Sequence, residues 1–288
     1  MFPIFTRRAL IAAAFTAAAL IVPAQAQQTQ ISKAGEYIQK TEKGDINWTI
    51  LKMKVKGQAA PNPKHTNPAQ ARIAAERAAK MDALRNALEV VKGVAITSSS
   101  TVEDFMLTSD TVKAEVNGVI QGAIVVDTTY QSDTGVSVFI EVPIMGELAE
   151  ILMPKELGSA VPPEVAPGSP APAIDGQVYT GLIIDATGLG VRPAMSPQVL
   201  DENGAVLYSA ATVSREYALQ MGLVGYARDV ATARANDRVG ASPLVIKAKG
   251  KQGDKSADVV LSAADAARLN QIIQHQSFLT HCRVVIVL

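Results

Sequence analysis

From Asn67 onward the chain has the pattern of a long amphipathic helix. Ile73, Met81, Leu84, Leu88 and Val91 recur along one stripe of a helical wheel, with Ala74 and Ala78 at its flank. Such a stripe predicts a helix lying on a core. Asn67 supplies an N-cap, Pro68 the first helical position and Gly93 the stop. The pairs Arg72/Glu76 and Glu76/Lys80, at i,i+4 spacing, mark the sides that face water. Ala71, Ala74, Ala75 and Ala78 combine high helix propensity with a thin surface, so the helix is expected to sit close on its neighbour. Arg77 falls inside the apolar stripe, where it either snorkels to water or meets an ion-pair or binding partner.

Period-two patterning predicts the strands. In "INWTILKMKVKG" Leu51, Met53 and Val55 alternate with Lys52, Lys54 and Lys56, the pattern of a half-buried strand whose lysine face guards against edge pairing. "VAITSSSTVEDF" predicts a short strand leading into a helix near Val102 to Leu107, with another helical piece over 110–120. Residues 122–144 read as a β-hairpin turning around Ser132-Asp133-Thr134-Gly135, and a short helix follows to Met153. Proline density over 154–176 resists both helix and sheet and predicts a semi-rigid linker.

Beyond the linker, "VYTGLIIDA" predicts a strand, and 197–209 a hairpin turning at Asn203-Gly204. Residues 214–238 are partly helical by pattern. "PLVIKAKG" and "ADVVL" read as strands, and "SAADAARLNQIIQHQ" as a helix capped by Ser262. "CRVVIVL" is apolar on both faces, as a strand inside a covered sheet must be. The fold class is therefore α/β (α+β). A leader over 27–45 precedes a first domain over 46–153, with one long helix on a mostly antiparallel sheet. The Pro-rich linker over 154–176 comes next, then a second, smaller α/β domain over 177–288.

The first residues carry a different signal. Arg7 and Arg8, an apolar run from Ala9 to Val22 and the small-x-small sequence Ala24-Gln25-Ala26 predict a cleavable signal peptide over 1–26, and hence a periplasmic protein. No cysteine stands at the cleavage site, so no lipid anchor is expected there, and no later run is long enough to span a membrane. The chain has 27 basic and 27 acidic residues; losing Arg7 and Arg8 leaves a net charge of −2. That balance gives no footprint for nucleic acid.

Chemistry is harder to find. Cys282 is the single cysteine and heads an apolar strand, where a buried, inert thiol is expected. His65, His275 and His281 lack metal-ligand spacing, and no G-x-S-x-G elbow or Walker lysine occurs. "IIDATGLGVRP" begins as a phosphate loop does, with Gly188 and Gly190 in the first two glycine positions, but Pro193 occupies the third. A proline there opposes the helix whose N-terminus would hold the phosphate. The expectation is no enzyme, no cofactor and no metal. Candidate partner or ligand contacts are Arg77 and the turn carrying Asp185, Gly188, Gly190 and Arg192.

"AQARIAAERAAKMDALRNALEVVKGVAITSSSTVEDF", "SDTVKAEVNGVIQGAIVVD" and "GVSVFIEVPI", spanning roughly Pro68 to Met153, resemble the N-terminal domain of flagellar assembly protein T and the related bacterial LPP-twenty lipoprotein family. The resemblance implies a small domain with one long helix across a mostly antiparallel sheet. It also implies an envelope protein working by protein–protein contact, with flagellar basal-body or other envelope proteins as partners and an oligomer allowed. The alternative is a periplasmic module that binds a small ligand or glycan through its second domain.

Overall fold

A computed structural model describes residues 35–62, 64, 67–132, 135–160 and 177–288. The signal segment, most of the Pro-rich linker and His65 lie outside the described residues. Residues 33–288 form one compact unit.

The first half is built on a five-stranded antiparallel sheet. Its strands are β1 (Ile38–Lys40), β2 (Gly44–Asn47), β3 (Lys52–Ala59), β4 (Ile124–Tyr130) and β5 (Val136–Pro143), in the order β1-β2-β3-β5-β4. The long helix α1 (Pro68–Lys92) lies across β3 and β5, and the half adds three shorter helices: α2 (Val102–Thr108), α3 (Asp110–Gln121) and α4 (Glu147–Leu152). Met53, Val55, Val138, Ile140 and Val142 form the buried face, in register across β3 and β5. Lys54 and Lys56 lie on the other face, over the ring of Phe139. The alternation thus holds from Met53 onward, but the single strand expected from Ile46 is two. Residues 48–51 turn, with Leu51 at φ 56°, and Trp48 is buried beneath the turn. Residues 38–45 of the expected leader, with Ile46 and Asn47, are the β1–β2 hairpin; its turn is held by the Thr41 hydroxyl, which donates to the Gly44 carbonyl at 2.6 Å.

The buried face of α1 is not the one its large residues mark. Ala75, Ala79, Ala83 and Ala87, spaced four apart, face the sheet together with Val90 and Val91. Ile73 and Met81 are 52% and 63% exposed, Ala78 and Arg77 face solvent, and Leu84 and Leu88 are half-buried. The reason lies in β3. A Cβ on Gly57 would collide with the Ala83 amide nitrogen and the Ala79 carbonyl oxygen and lie 2.6 Å from the Ala83 Cα, so helix backbone rests directly on strand backbone. The strands supply the bulk of this core, so the helix meets them with small residues. The contact also closes an edge. Pairing of β2 with β3 stops at Val55; beyond it Asn86 Nδ2 donates to the Lys56 carbonyl at 3.0 Å, and the Gln58 amide donates to Asp82 Oδ2 at 2.9 Å. Helix side chains replace the missing strand.

The second half carries two four-stranded sheets. β6 (Gly181–Asp185), β9 (Gly225–Ala227), β10 (Pro243–Lys247) and β13 (Val284–Val287) form a parallel sheet in the order β10-β6-β13-β9. β7 (Val199–Leu200), β8 (Val206–Tyr208), β11 (Gly250–Gln252) and β12 (Asp258–Val260) form the other, in the order β11-β12-β7-β8. The helices are α5 (Arg215–Met221), α6 (Val230–Arg234) and α7 (Ala263–Ile273). β13 is an inner strand: Val285 and Val287 pack with Ala233 of α6 on one face, while Val284 and Ile286 join the main core on the other. Apolarity on both faces of that strand is a consequence of this position.

One core runs through both halves. Trp48 stacks edge-on to Tyr226 with centroids 5.7 Å apart, and the Thr49 hydroxyl donates to the Tyr226 carbonyl at 2.7 Å. The Met195 and Ser196 amides donate to the Ala95 and Ile96 carbonyls at 2.9 and 2.7 Å.

Candidate functional site

Of the four residues singled out after β6, Gly188 and Gly190 stand in the turn itself, with Asp185 before it and Arg192 after it. Asp185 ends the strand, and its Oδ1 accepts the Thr187 amide at 3.0 Å. Hydrogen bonding from Thr187, with help from the charge of Lys247, holds the Asp185 carboxyl below its ordinary range against the opposing effect of desolvation. Gly188 and Gly190 take φ of 80° and 66°, a region L side chains rarely adopt. The Gly190 carbonyl accepts Lys251 Nζ at 2.9 Å, and the Arg192 amide donates to the Ser256 carbonyl at 2.9 Å. Arg192 forms no ion pair with Asp185.

The onward course of the chain accounts for the glycines. From the turn it runs not into a helix but along the loop over 95–96 and on to β7. On the way, the Ala194 amide donates to the Tyr226 hydroxyl and that hydroxyl donates to the Ala194 carbonyl, both at 2.9 Å. The turn thus starts a strap that joins the two halves, and its polar groups are largely satisfied within the fold.

The other candidate, Arg77, lies on an open face. Because the alanine row of α1 takes the sheet, the large residues of the same helix face away from it. Met81, Leu84 and Leu88 of α1 and Ile120 of α3 line a groove of about 750 Å³ whose charged residues are Arg77, Lys80 and Arg85, with Asn117 and Gln121 opposite. Arg77 and Lys80 also border a second hollow of about 170 Å³, lined by Ile73 and Glu76, by Val125 and Thr128 of β4 and by Val138 of β5. Among the described residues, Arg77, Lys80 and Arg85 have no ion-pair partner. Beside the second hollow, the edge strand β4 exposes Ile124, Val125 and Val126, and Leu107 on α2 is 80% exposed. The sequence pattern marks Arg77 but assigns its stripe to the buried side. The signal for the open face is the second row, Ala75-Ala79-Ala83-Ala87, which needs only a glycine beneath it to become the seat.

Two polar groups, one half-buried and one buried, stand in the interior of the second half. The Arg238 guanidinium donates to the carbonyls of Gly222 and Cys282, both at 3.0 Å, and to that of Met221. Cys282 is buried, and desolvation pushes its thiol up to about 11. Among the described residues no three His, Cys, Asp or Glu side chains gather as a metal site demands.

The fold is α/β in class, with a long helix on an antiparallel sheet in the first half and a parallel sheet with helices in the second. Residues 181–288, from the first residue of β6 to Leu288, match the family described as Treponema pallidum Tp0624, second domain. Comparison with curated proteins finds no match.

Proposed function

We propose that this chain is an exported, non-enzymatic protein of the cell envelope that works by protein–protein contact, as an assembly or scaffolding part and, in flagellated cells, at the basal body. The observation that carries the reading is the open face of α1, α3 and β4. A monomer keeps large apolar side chains in contiguous exposed patches only where something covers them. Here Ile73, Met81 and Val125 are all exposed on the helix and strand that border one groove system. The face belongs to the segment that resembles flagellar assembly protein T and the LPP-twenty lipoproteins, which adds the envelope and the basal body to the reading. The signal-like first 26 residues add export. The strap from Asp185 to Arg192 gives less support to a ligand-binding alternative, because its turn is explained by internal hydrogen bonds.

The test is purification of basal bodies and envelope fractions from the native cell after gentle crosslinking, probed for this protein. Specific co-purification with either is the expected result. A protein found free in the cytoplasm, uncleaved and uncrosslinked, would overturn the reading.

A further inference from the structure

The groove between α1 and α3 is specific enough in chemistry to name its occupant. Its charged residues are all cations, Arg77, Lys80 and Arg85, and among the described residues no carboxylate lines it. The acids of α1 nearest in sequence each have a partner of their own, and of them only Glu76 reaches the adjoining smaller hollow. Asp82 accepts the Gln58 amide on the sheet side, Glu89 pairs with Lys43 at 3.6 Å, and Glu76 accepts the Tyr130 hydroxyl at 3.2 Å. The groove therefore offers an apolar floor of Met81, Leu84, Leu88 and Ile120 inside a positive rim.

Its dimensions suit a helix. From Arg77 to Leu88 the wall runs eleven residues along α1, roughly 16 Å at about 1.5 Å per residue, or three helical turns. Both walls are helices, so the ridges of a third can enter between them. A second copy of this chain is a poor occupant, because a two-fold contact would set the three cations against their own kind.

We infer that the groove takes an amphipathic helix of a partner protein, apolar at i, i+4, i+7 and i+11 and flanked by carboxylates. This rests on the protein-contact reading above and adds the partner's chemistry to it.

The experiment measures anisotropy of two labelled synthetic helices of about 16 residues against the mature protein. One carries leucine at the four stripe positions with flanking glutamates; the other replaces each glutamate with lysine. The glutamate peptide binds at least about tenfold more tightly than the lysine peptide, and Arg77→Glu with Lys80→Glu and Arg85→Glu reverses that preference. All three positions are exposed, so the triple variant keeps its circular dichroism spectrum and urea midpoint. Equal binding of the two peptides, no binding of either, or an unchanged preference in the triple variant overturns the inference. So does displacement of the glutamate peptide by phosphatidylglycerol vesicles with tighter binding to them, which would make the surface a lipid site. A photo-crosslinker placed at Met81 in cells separates the two claims. If the peptides fail while Met81 still captures a protein, only the occupant's chemistry is wrong; if Met81 captures none, the protein-contact reading falls with it.

Discussion

Gly57→Ala is the sharpest probe of how this fold is seated. The added methyl would meet the Ala83 nitrogen, the Ala79 oxygen and, at 2.6 Å, the Ala83 Cα. All three are helix backbone atoms, so no rotamer change relieves the clash; α1 must lift from β3. Overpacking of a well-filled core costs about 1–3 kcal/mol, and a clash with no side-chain escape belongs at the upper end, about 3 kcal/mol. Lifting α1 also strains the Asn86 and Asp82 hydrogen bonds to Lys56 and Gln58, which adds to the loss. With a urea m-value of about 3 kcal/mol per M, the midpoint falls by roughly 1 M. Ala83→Gly in the same chain does not rescue it, because the colliding atoms are those that every residue has. Gly118→Ala is the matched control: nothing lies within 4 Å of a Cβ there, and in the middle of α3 the change stabilises by up to about 1 kcal/mol. A Gly57→Ala midpoint indistinguishable from that of the parent protein would refute the direct seating of helix on strand.

Three further outcomes are expected. Arg238→Lys replaces a planar fork that serves three carbonyls with a single ammonium, leaves at least one of them unpaired, and lowers stability by about 1–3 kcal/mol in urea titration. Cys282, buried and with its thiol raised to about 11, stays unmodified by iodoacetamide at neutral pH in the folded protein and is alkylated once urea unfolds it, as mass spectrometry will report. Asp229, the N-cap of α6, accepts the Thr232 amide at 2.7 Å, which holds its carboxyl below the ordinary 3.8; Thr101 does the same for Asp104 at the start of α2. A depressed folded-state pKa contributes stability that is present above the ordinary value and lost as pH falls through the folded one. The melting temperature therefore drops on the acid side of about pH 4, and Asp229→Asn, which still caps, shallows that drop without lowering the neutral-pH value.

Much of the architecture was legible from local signals. Asn67-Pro68, Ser262 and the Asn203-Gly204 turn each act through their own backbone, so α1, α7 and the β7–β8 hairpin stand near where the pattern puts them. The apolar run 284–287 announced a covered strand for the same reason: burial on both faces leaves no polar position. What stayed hidden depends on contacts distant in sequence. The seat of α1 is fixed by a glycine in β3, well before the helix begins, and without it the wheel's largest residues are the natural choice for the core. β9 and β11 are three residues each, too short to show a period, and exist because β13 and β12 pair with them. The Asp185–Arg192 turn reads as a site because glycines at positive φ serve ligand loops and chain reversals alike. Only the path of the chain beyond it, alongside residues 95–96 and under the Tyr226 hydroxyl, separates the two.

The central claim is that the face of α1 left open by the alanine seat is where this protein meets another. Its most direct test is a genetically encoded photo-crosslinker placed, in the native cell, at Met81 and Val125 on that face and at Asn203 on the distant hairpin turn. The account predicts discrete protein adducts from Met81 and Val125 and none from Asn203. Adducts from Asn203 alone, or from no position, would contradict it.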